Sequence, residues 1–233
     1  MTKDANVGGW RALNLRSKSA GFLPKKYYYA ANSAQCVEAC KMIRGLVRGS
    51  KKSVFGYDME WHQKFFTTSA GKKSARREKI ALMQFCKDEQ VFVLHLSQFG
   101  MMPCLASILK DSNIVKVGRG VKNDVHYVED DFFSGKTATM KGAVDLSDLA
   151  SFGGMKAEGG LALMAQRHAG FTLPKPIKLR MTNWSKFPLT EDMLAYAAMD
   201  AFAGWAVATD MLSTIAKKGL SRQKALTDIM FTT

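Results

Sequence analysis

The sequence lacks the features that mark membrane and secreted proteins. It contains no uninterrupted apolar run near the ~20 residues that span a bilayer, and its N-terminus lacks the apolar core of a secretory signal. Its four cysteines form no C-x-x-C pair, which predicts free thiols in a reduced intracellular setting, nucleus or cytosol by default. The stretch from Trp10 to Phe22 is basic and free of acids, as organellar transit segments are, so a mitochondrial location stays open.

Acidic residues are also scarce relative to basic ones. The 34 Lys and Arg residues outnumber the 20 Asp and Glu residues and give a net charge of +14. Such a balance is typical of proteins that bind polyanions, nucleic acids above all, although charge that only maintains solubility is the alternative. The 233 residues, of which 47% are hydrophobic, suit one folded domain with extensions. We predict an N-terminal extension over residues 1–24, a domain over 25–218 and a C-terminal tail over 219–233.

Two acids stand at the end of an apolar stretch that begins at Ser53. Side chains alternate between the two faces of a strand, so Asp58 and Glu60 are predicted to project from the same face near its C-terminal end. Two carboxylates in this arrangement suit a divalent metal ion. A plain polar sheet edge would look the same in sequence.

The rest of the pattern alternates between strands and helices, which predicts an α/β fold. Two apolar strands follow the Asp58 strand and are expected to form an antiparallel meander with it, whereas the polar stretch from Thr67 to Lys79 is predicted to be a loop overhanging the acids. The other predicted elements are a strand at Tyr27–Tyr29, a helix from Ser33 capped by Asn32 or Ser33, a helix over 101–109, a strand over 114–117, a helix over 121–133, a strand over 143–146 and a helix over 161–169.

The most sharply bounded predicted element is a long helix near the C-terminus. Pro188 precedes it, Thr190 is its expected N-cap, and two acids occupy its first turn, where the helix dipole favours negative charge. Tyr196 and Asp200 lie four residues apart and so share one face. The small residues around them should let this helix approach the sheet closely and bring Asp200 toward Asp58.

Two basic stretches are candidates for nucleic-acid contact. The first lies in the predicted loop and the second runs from Pro174 to Pro188, where cations alternate with aromatics in the manner of a stacking surface. A solvated run of charge and a Trp184 packed in the core are the alternatives. The candidate contact residues are Met59, Trp61, Lys72, Lys73, Arg76, Arg77, Arg119, Asn123, Trp184 and Lys186.

The order and spacing of the acids resemble those of the DEDD superfamily of 3′-5′ exonucleases in its tyrosine subclass, and specifically the exonuclease domains related to ribonuclease D and the Werner syndrome protein. The resemblance runs from about Tyr27 to Leu212 and rests on Tyr57 to Trp61, Ile80 to Cys86, Gly118 to Asp124 and Asn183 to Ala201. It implies a ribonuclease H-like (DnaQ-like exonuclease) α/β fold, whose mixed central sheet has three antiparallel strands and then parallel ones, flanked by helices.

The resemblance implies two-metal hydrolysis of phosphodiester bonds at the 3′ ends of DNA or RNA, with release of nucleoside 5′-monophosphates. Asp58 would bridge both ions, Glu60 and Asp200 would complete the site of the nucleophile's metal, and Asp124 would support the second ion. Tyr196 would orient the attacking water, since a phenol of pKa about 10 is a poor base at neutral pH. Ligand sets made only of oxygen favour Mg²⁺ or Mn²⁺, which would also relieve repulsion among the carboxylates.

The sequence departs from these relatives in having no helicase motif and no space for the helical modules attached to ribonuclease D. Substrate grip is therefore expected from the domain itself or from a protein partner that supplies helicase activity or targeting. The rival hypothesis is a catalytically weak or inactive nucleic-acid-binding or adaptor domain with the same fold. DNA and RNA substrates, and roles in DNA repair and RNA processing, stay open alternatives.

Overall fold

The structure is a computed structural model that describes residues 9–13, 24, 26–47, 49, 51–134, 140–157 and 159–230. Most of the predicted N-terminal extension, including Phe22, lies outside the described residues. Among the described residues, no helix combines the length and the apolar character needed to cross a bilayer.

A seven-stranded mixed sheet forms the centre of the fold, with its strands in the order β1-β2-β5-β4-β3-β6-β7. The predicted meander is confirmed, because β4 pairs antiparallel with both β3 and β5. Parallel pairs β2–β5, β3–β6 and β6–β7 surround it, and β1 pairs antiparallel with β2. The strands are β1 (Gly9–Ala12), β2 (Lys26–Ala30), β3 (Ser53–Thr67), β4 (Lys73–Lys87), β5 (Gln90–Leu94), β6 (Ile114–Gly118) and β7 (Ala143–Asp145).

The helices pack against the sheet, whose two faces contribute to two separate clusters of buried apolar residues. One cluster includes buried residues of the long C-terminal helix, and the other includes buried residues of α1, α3 and α4. The helices are α1 (Ser33–Gly45), α2 (Leu96–Phe99), α3 (Pro103–Lys110), α4 (Val121–Phe132), α5 (Leu146–Phe152), α6 (Leu161–Met164), α7 (Ile177–Arg180), α8 (Glu191–Lys217) and α9 (Arg222–Ile229). A π-helical turn over Ala165–Ala169 continues α6.

The predicted loop between Thr67 and Lys79 is wrong. Residues 73–79 belong to β4, and β3 continues to Thr67, so the two strands form a hairpin of 15 residues on each side. A short turn closes it, in which Thr68 N–H donates to the Lys72 carbonyl at 2.9 Å and Gly71 adopts a positive φ of 76°. Composition misled the prediction, because exposed strand residues that pair only with each other are as polar as loop residues.

The predicted helix caps are confirmed. The side chain of Asn32 accepts a hydrogen bond from the Gln35 N–H at the start of α1, and that of Thr190 accepts one from the Met193 N–H at the start of α8. These bonds satisfy N–H groups that have no partner within the helix. Asp145 caps α5 in the same way, since its side chain accepts a hydrogen bond from the Ser147 N–H.

Helix α8 crosses β3 with almost no space between the two backbones. A Cβ atom added to Gly56 would lie 1.9 Å from the Ala201 carbonyl oxygen and 2.5 Å from the Trp205 backbone nitrogen. Gly204 makes the complementary approach from the helix, with its Cβ position 3.2 Å from the Val117 carbonyl oxygen. The predicted close contact is therefore confirmed, and it fixes the height of α8 above the carboxylates of β3.

Both ends of the chain add elements to the sheet domain. β1 covers the outer edge of β2, and Arg11 within it forms an ion pair with Glu191 at 3.2 Å and lies 4.7 Å from the Tyr29 ring centroid. At the other end, α9 packs on α5 and α8. The boundaries at residues 25 and 218 stay predictions, although ordered elements lie on both sides of them.

Candidate active site

Three acids meet where α8 crosses the end of the buried part of β3. Asp58 and Glu60 come from β3 and Asp200 from α8, and their carboxylate oxygens all lie within 4.8 Å of one another. Glu60 is 9% exposed and Asp200 only 2%. The expectation that the close packing of α8 brings Asp200 to Asp58 is confirmed.

Asp124, the fourth predicted acid, lies beside this group. It is in the first turn of α4 and is 8% exposed. Burial, and then the charges of Asp58 and Asp145, raise the pKa of the Asp124 carboxyl well above its usual value. Asp124 is thus electrostatically coupled to Asp58, although among the described residues only the other three acids form the close group.

Burial and mutual repulsion work against ionisation of these carboxyls. Burial, followed by the charge of Asp200, raises the pKa of Asp58 to about 7. Burial, followed by the charge of Asp58, raises the pKa of Glu60 well above its usual value. A nearby cation would reverse both effects, because it favours the charged form of each group.

Lys175 is a member of the site that the sequence did not reveal. Its ammonium forms an ion pair with Asp200 Oδ2 and lies 5.1 Å from the centroid of the Tyr196 ring. Its charge lowers the pKa values of Asp58, Glu60 and Asp200, although burial still raises all three on balance. In sequence Lys175 is one of several cations in a polar segment, and nothing distinguishes it from the others.

One oxygen of the group has no partner in the part of the chain that the structure describes. Asp200 Oδ1 is fully buried and has no hydrogen bond of normal geometry there, although Tyr196 and Asp58 lie near enough to lower the pKa of Asp200. A buried carboxylate oxygen without a donor is costly, and three acids around a single ammonium leave excess negative charge. Oxygen-only donors with these properties fit a hard divalent cation such as Mg²⁺ or Mn²⁺.

Tyr196 presents its phenol to the same group from one turn before Asp200 on α8. The residue is 7% exposed, and its ring packs 5.8 Å from that of Trp184. Burial, and then the charges of Asp200, Glu60 and Asp58, raise the pKa of the phenol. Tyr196 therefore stays protonated at neutral pH and can donate its O–H.

A cavity of about 640 Å³ opens over these side chains. Arg119 and Arg180 supply cationic groups at its wall, and Gln63 lines it from β3. Arg119 is held in place, since its Nε donates to the Gly159 carbonyl at 3.2 Å and its Nη1 to Asp145 at 3.3 Å. Arg180 and Gln63 were not among the residues predicted from sequence. The other lining residues are Tyr57, Asp58, Met59, Glu60, Trp61, Gly160, Leu161, Ala162, Lys175, Met181, Tyr196 and Asp200.

Trp184 is not a surface residue, so the prediction that it stacks on bases is wrong and the alternative, a Trp184 packed in the core, is confirmed. Its side chain is fully buried against Tyr196. Its carbonyl oxygen lies 3.2 Å from Nε2 of His95, a buried ring whose Nδ1 lies 2.7 Å from the Tyr29 hydroxyl. Burial lowers the pKa of His95 to about 4, so this ring is neutral at physiological pH. Trp184 supports the ring of Tyr196 from behind and has no face open to solvent.

Arg77, another predicted contact, has its guanidinium in an ion pair, so any contact with phosphate would compete with that pair. Both terminal nitrogens donate to Asp131, each at 2.7 Å, and the group lies 4.4 Å from the ring centroid of Tyr127. This bidentate pair neutralises the charge that was expected to hold phosphate. Met59 is 2% exposed and meets the cavity only at its wall. The other candidate contacts are half-buried or exposed and stay predictions: Trp61, Lys72, Lys73, Arg76, Arg119, Asn123 and Lys186.

A second group of metal-type side chains lies elsewhere. The thiols of Cys36, Cys40 and Cys104 come within 4.8 Å of one another between α1 and α3. Structural zinc sites normally have four protein ligands, and among the described residues this group has three. Cys36 and Cys40 belong to an apolar cluster and Cys104 packs against it, so these cysteines act as small hydrophobic side chains.

Comparison with protein families and sequences places this site in context. A family model described as 3′-5′ exonuclease matches residues 28–216. A 3′-5′ exonuclease of Arabidopsis thaliana is 35% identical over 153 residues, which cover 64% of this chain and 49% of that protein. The mouse bifunctional 3′-5′ exonuclease/ATP-dependent helicase WRN is 31% identical over 184 residues, which cover 78% of this chain and 12% of that protein. The chain thus spans half or less of these relatives.

Solved structures give the same fold. Escherichia coli RNase D superimposes with a TM-score of 0.66 at 20% identity, over 87% of this chain and 48% of that one. The EXO domain of Aedes aegypti Nibbler superimposes with a TM-score of 0.64 at 17% identity, over 87% of this chain and 94% of that one. The ribonuclease H-like fold expected from the sequence is confirmed.

Proposed function

The chain belongs to the 3′-5′ exonuclease family, and on that premise we propose that it is a metal-dependent enzyme that hydrolyses phosphodiester bonds from the 3′ end of nucleic acid. The products would be nucleoside 5′-monophosphates. The observation that carries the proposal is the convergence of Asp58, Glu60 and Asp200 within 4.8 Å, beside Asp124 and under a cavity with cationic walls.

Asp58, Glu60 and Asp200 would hold the divalent cations, with Asp124 supporting them from α4. When bound, two such ions supply a nucleophile at neutral pH and stabilise the charge on the leaving oxygen. The protein's own contribution is to hold these acids in place before the substrate arrives. The close packing of Gly56 against α8 supports that role, because it fixes Asp200 opposite β3.

The neighbouring side chains have separate roles in this proposal. Tyr196 keeps its proton and donates it in a hydrogen bond that orients the attacking water, while Trp184 holds the tyrosine ring in position. Arg119 and Arg180 bind phosphate oxygens of the substrate at the cavity wall. Lys175 balances the charge of Asp200 until cations enter the site.

The natural substrate is a 3′ end of DNA or RNA, and the family membership supports either. The excess of basic residues favours a polyanion. We further propose that the activity resides in residues 25–218, that the protein works inside the cell, and that a partner protein supplies any helicase or targeting function. The mouse relative, by its name, joins an exonuclease to a helicase in one chain.

The test is incubation of the protein with 5′-labelled single-stranded DNA and RNA of the same sequence, with Mg²⁺, Mn²⁺ or EDTA. We expect a ladder of products shortened from the 3′ end that requires a divalent ion, and mononucleotides as the released product. Absence of shortening by the wild-type protein at every metal concentration would favour the adaptor hypothesis. Internal cuts in a circular single strand would show an endonuclease instead.

A further inference from the structure

The β3–β4 hairpin continues well beyond the acids. From Gln63 paired with Arg77 to Thr67 paired with Lys73, the two strands keep a regular register without a bulge. We call residues 63–77 the hairpin arm. Two large apolar side chains lie on it without cover, since Phe65 is 64% exposed and Phe66 is 46% exposed. An exposed aromatic ring next to a cavity offers a face on which a base can stack.

The alternation of side chains gives the two phenylalanines different directions. Gln63 lines the cavity, and the regular register puts Phe65 on the same face of β3, roughly 6.8 Å farther from the site. Phe66 projects from the opposite face, with Lys64 and Arg76. Phe65 thus continues the cavity wall outward.

The arm is also strongly cationic. Between Trp61 and Arg77 the sequence contains no Asp or Glu, but it contains Lys64, Lys72, Lys73 and Arg76. Lys64, Lys72, Lys73 and Arg76 are all exposed. Of these cations, Lys73 shares the face of Phe65, whereas Lys64 and Arg76 share the face of Phe66. A cation beside an exposed aromatic can bind a single strand, with a phosphate at the charge and a base stacked on the ring.

The base of the arm is anchored, so Phe65 has a defined position. Asp131 of α4 accepts two bonds from the Arg77 guanidinium and a third from the Ile80 N–H, all at 2.7 Å. The Tyr127 ring packs on the guanidinium at 4.4 Å and on the Trp61 ring at 5.2 Å. An anchored platform loses less conformational entropy on binding than a free loop would.

We propose that Phe65 is a stacking platform for a base of single-stranded nucleic acid, a few nucleotides upstream of the 3′ end held in the cavity. The proposal rests on the proposed function, since it assigns a path to the strand that enters the site. It commits to a single strand, because bases inside a duplex do not present their faces to a side chain. The backbone phosphates of that strand would meet Lys73, which shares the face of Phe65.

The experiment compares two substrates in three variants. The nitrophenyl ester of thymidine 5′-monophosphate reaches only the cavity, whereas a 12-nucleotide single strand also reaches the arm. Phe65→Ala is expected to raise the KM of the 12-mer at least about tenfold more than that of the ester. Phe65→Trp should restore the affinity. Phe66→Ala is the matched control on the opposite face and should leave the KM of both substrates unchanged.

Two results would overturn the proposal: a Phe65→Ala protein with the wild-type KM for the 12-mer, or a Phe66→Ala protein that loses as much affinity as Phe65→Ala. Fluorescence anisotropy with a labelled 12-mer in EDTA separates this proposal from the proposed function. If the wild-type protein cleaves nothing but binds the 12-mer at least about tenfold more tightly than Phe65→Ala does, the proposed exonuclease function is wrong and the stacking role of Phe65 is supported. If the wild type and Phe65→Ala bind the 12-mer with equal affinity, the stacking role of Phe65 is wrong, whether or not the protein is an exonuclease.

Discussion

The two halves of β3 differ in how many neighbouring strands they pair with and in how deeply their side chains are buried. From Ser53 to Gly56 the strand pairs with β6, it pairs with β4 from Gly56 onward, and α8 covers its inner half, where the large side chains are buried. Beyond Trp61 it pairs with β4 alone, and from Lys64 to Thr67 its side chains are exposed. The acids lie at the boundary between the halves. Packing fixes the positions of the acids in the inner half, whereas no such packing constrains the outer half, where we propose that a single strand binds.

The largest expected effect comes from the first of the two acids that β3 carries into the site. Asp58→Ala should lower kcat on a single-stranded oligonucleotide by a factor on the order of 10³ or more, because the central carboxylate of the cation site is lost. The fold should survive, as the change removes a repelled, half-buried charge. Circular dichroism and the melting temperature supply the control. Activity within tenfold of wild type would mean that the cations bind elsewhere.

The packing of the inner half is tested at Gly56. Gly56→Ala should destabilise the protein by about 3 kcal/mol, because the new methyl group collides with the backbone of α8, which cannot move without displacing Asp200. Urea denaturation measures the change. Gly45→Ala is the matched control, since a Cβ there meets nothing within 4 Å and alanine favours the helix. Equal stability of the two variants would contradict the close contact.

The electrostatic cost of the site should appear in the metal-free protein. Because the pKa of Asp58 is raised to about 7, the folded state keeps a proton that the unfolded state loses near pH 4. The folded state therefore binds more protons over this window, so stability in EDTA should fall as pH rises from about 4 to 7. Asp58→Asn should remove part of this slope and stabilise the protein at pH 7 by about 1–2 kcal/mol.

Melting curves at several pH values, with and without Mn²⁺, measure this effect. Asp228→Asn, in an exposed ion pair on α9, is the control and should leave the slope unchanged. A metal-free wild type that grows more stable across the same window would show that the carboxyls are ionised without a cation.

The smallest effect concerns Lys175, which joins the inner half from another segment. Lys175→Met should tighten Mn²⁺ binding about fivefold in calorimetric titration, because the ion no longer displaces an ammonium from Asp200. Lys178→Met removes an exposed cation three residues away and should change the affinity little. Weaker Mn²⁺ binding in Lys175→Met would assign Lys175 a supporting role for the ion instead.

Sequence alone predicted much of the inner half of β3 and little of the outer half. Strand alternation put Asp58 and Glu60 on one face, helical spacing put Tyr196 and Asp200 on another, and the small residues of α8 indicated its close approach. Asp124 was named only through the resemblance to the exonuclease family. The hairpin arm was missed because its strands pair only with each other, so no buried face imposes a pattern. The turn at Thr68 to Gly71, flanked by segments of equal length, was the available signal.

Tertiary contacts explain the other differences. Nothing near Trp184 in sequence indicates that His95 and Tyr196 enclose it, since both partners come from distant segments. The partners of two cations are also distant in sequence. Arg77 pairs with Asp131 of α4, and Lys175, from a segment predicted to be a surface loop, pairs with Asp200. Charged and aromatic side chains have the same composition signal at a surface and in a buried pair, so their pairing became visible only in the fold.

Strand β1 bears on whether the domain associates with other copies of itself. By pairing with β2 it occupies hydrogen-bonding groups that would otherwise form an open sheet edge, and Trp10 packs over Tyr28 with ring centroids 5.7 Å apart. A protein trimmed to residues 25–218 would expose that edge together with the Tyr28 ring. Unprotected edges can recruit strands from other molecules, so we expect that removal of β1 promotes self-association of the domain.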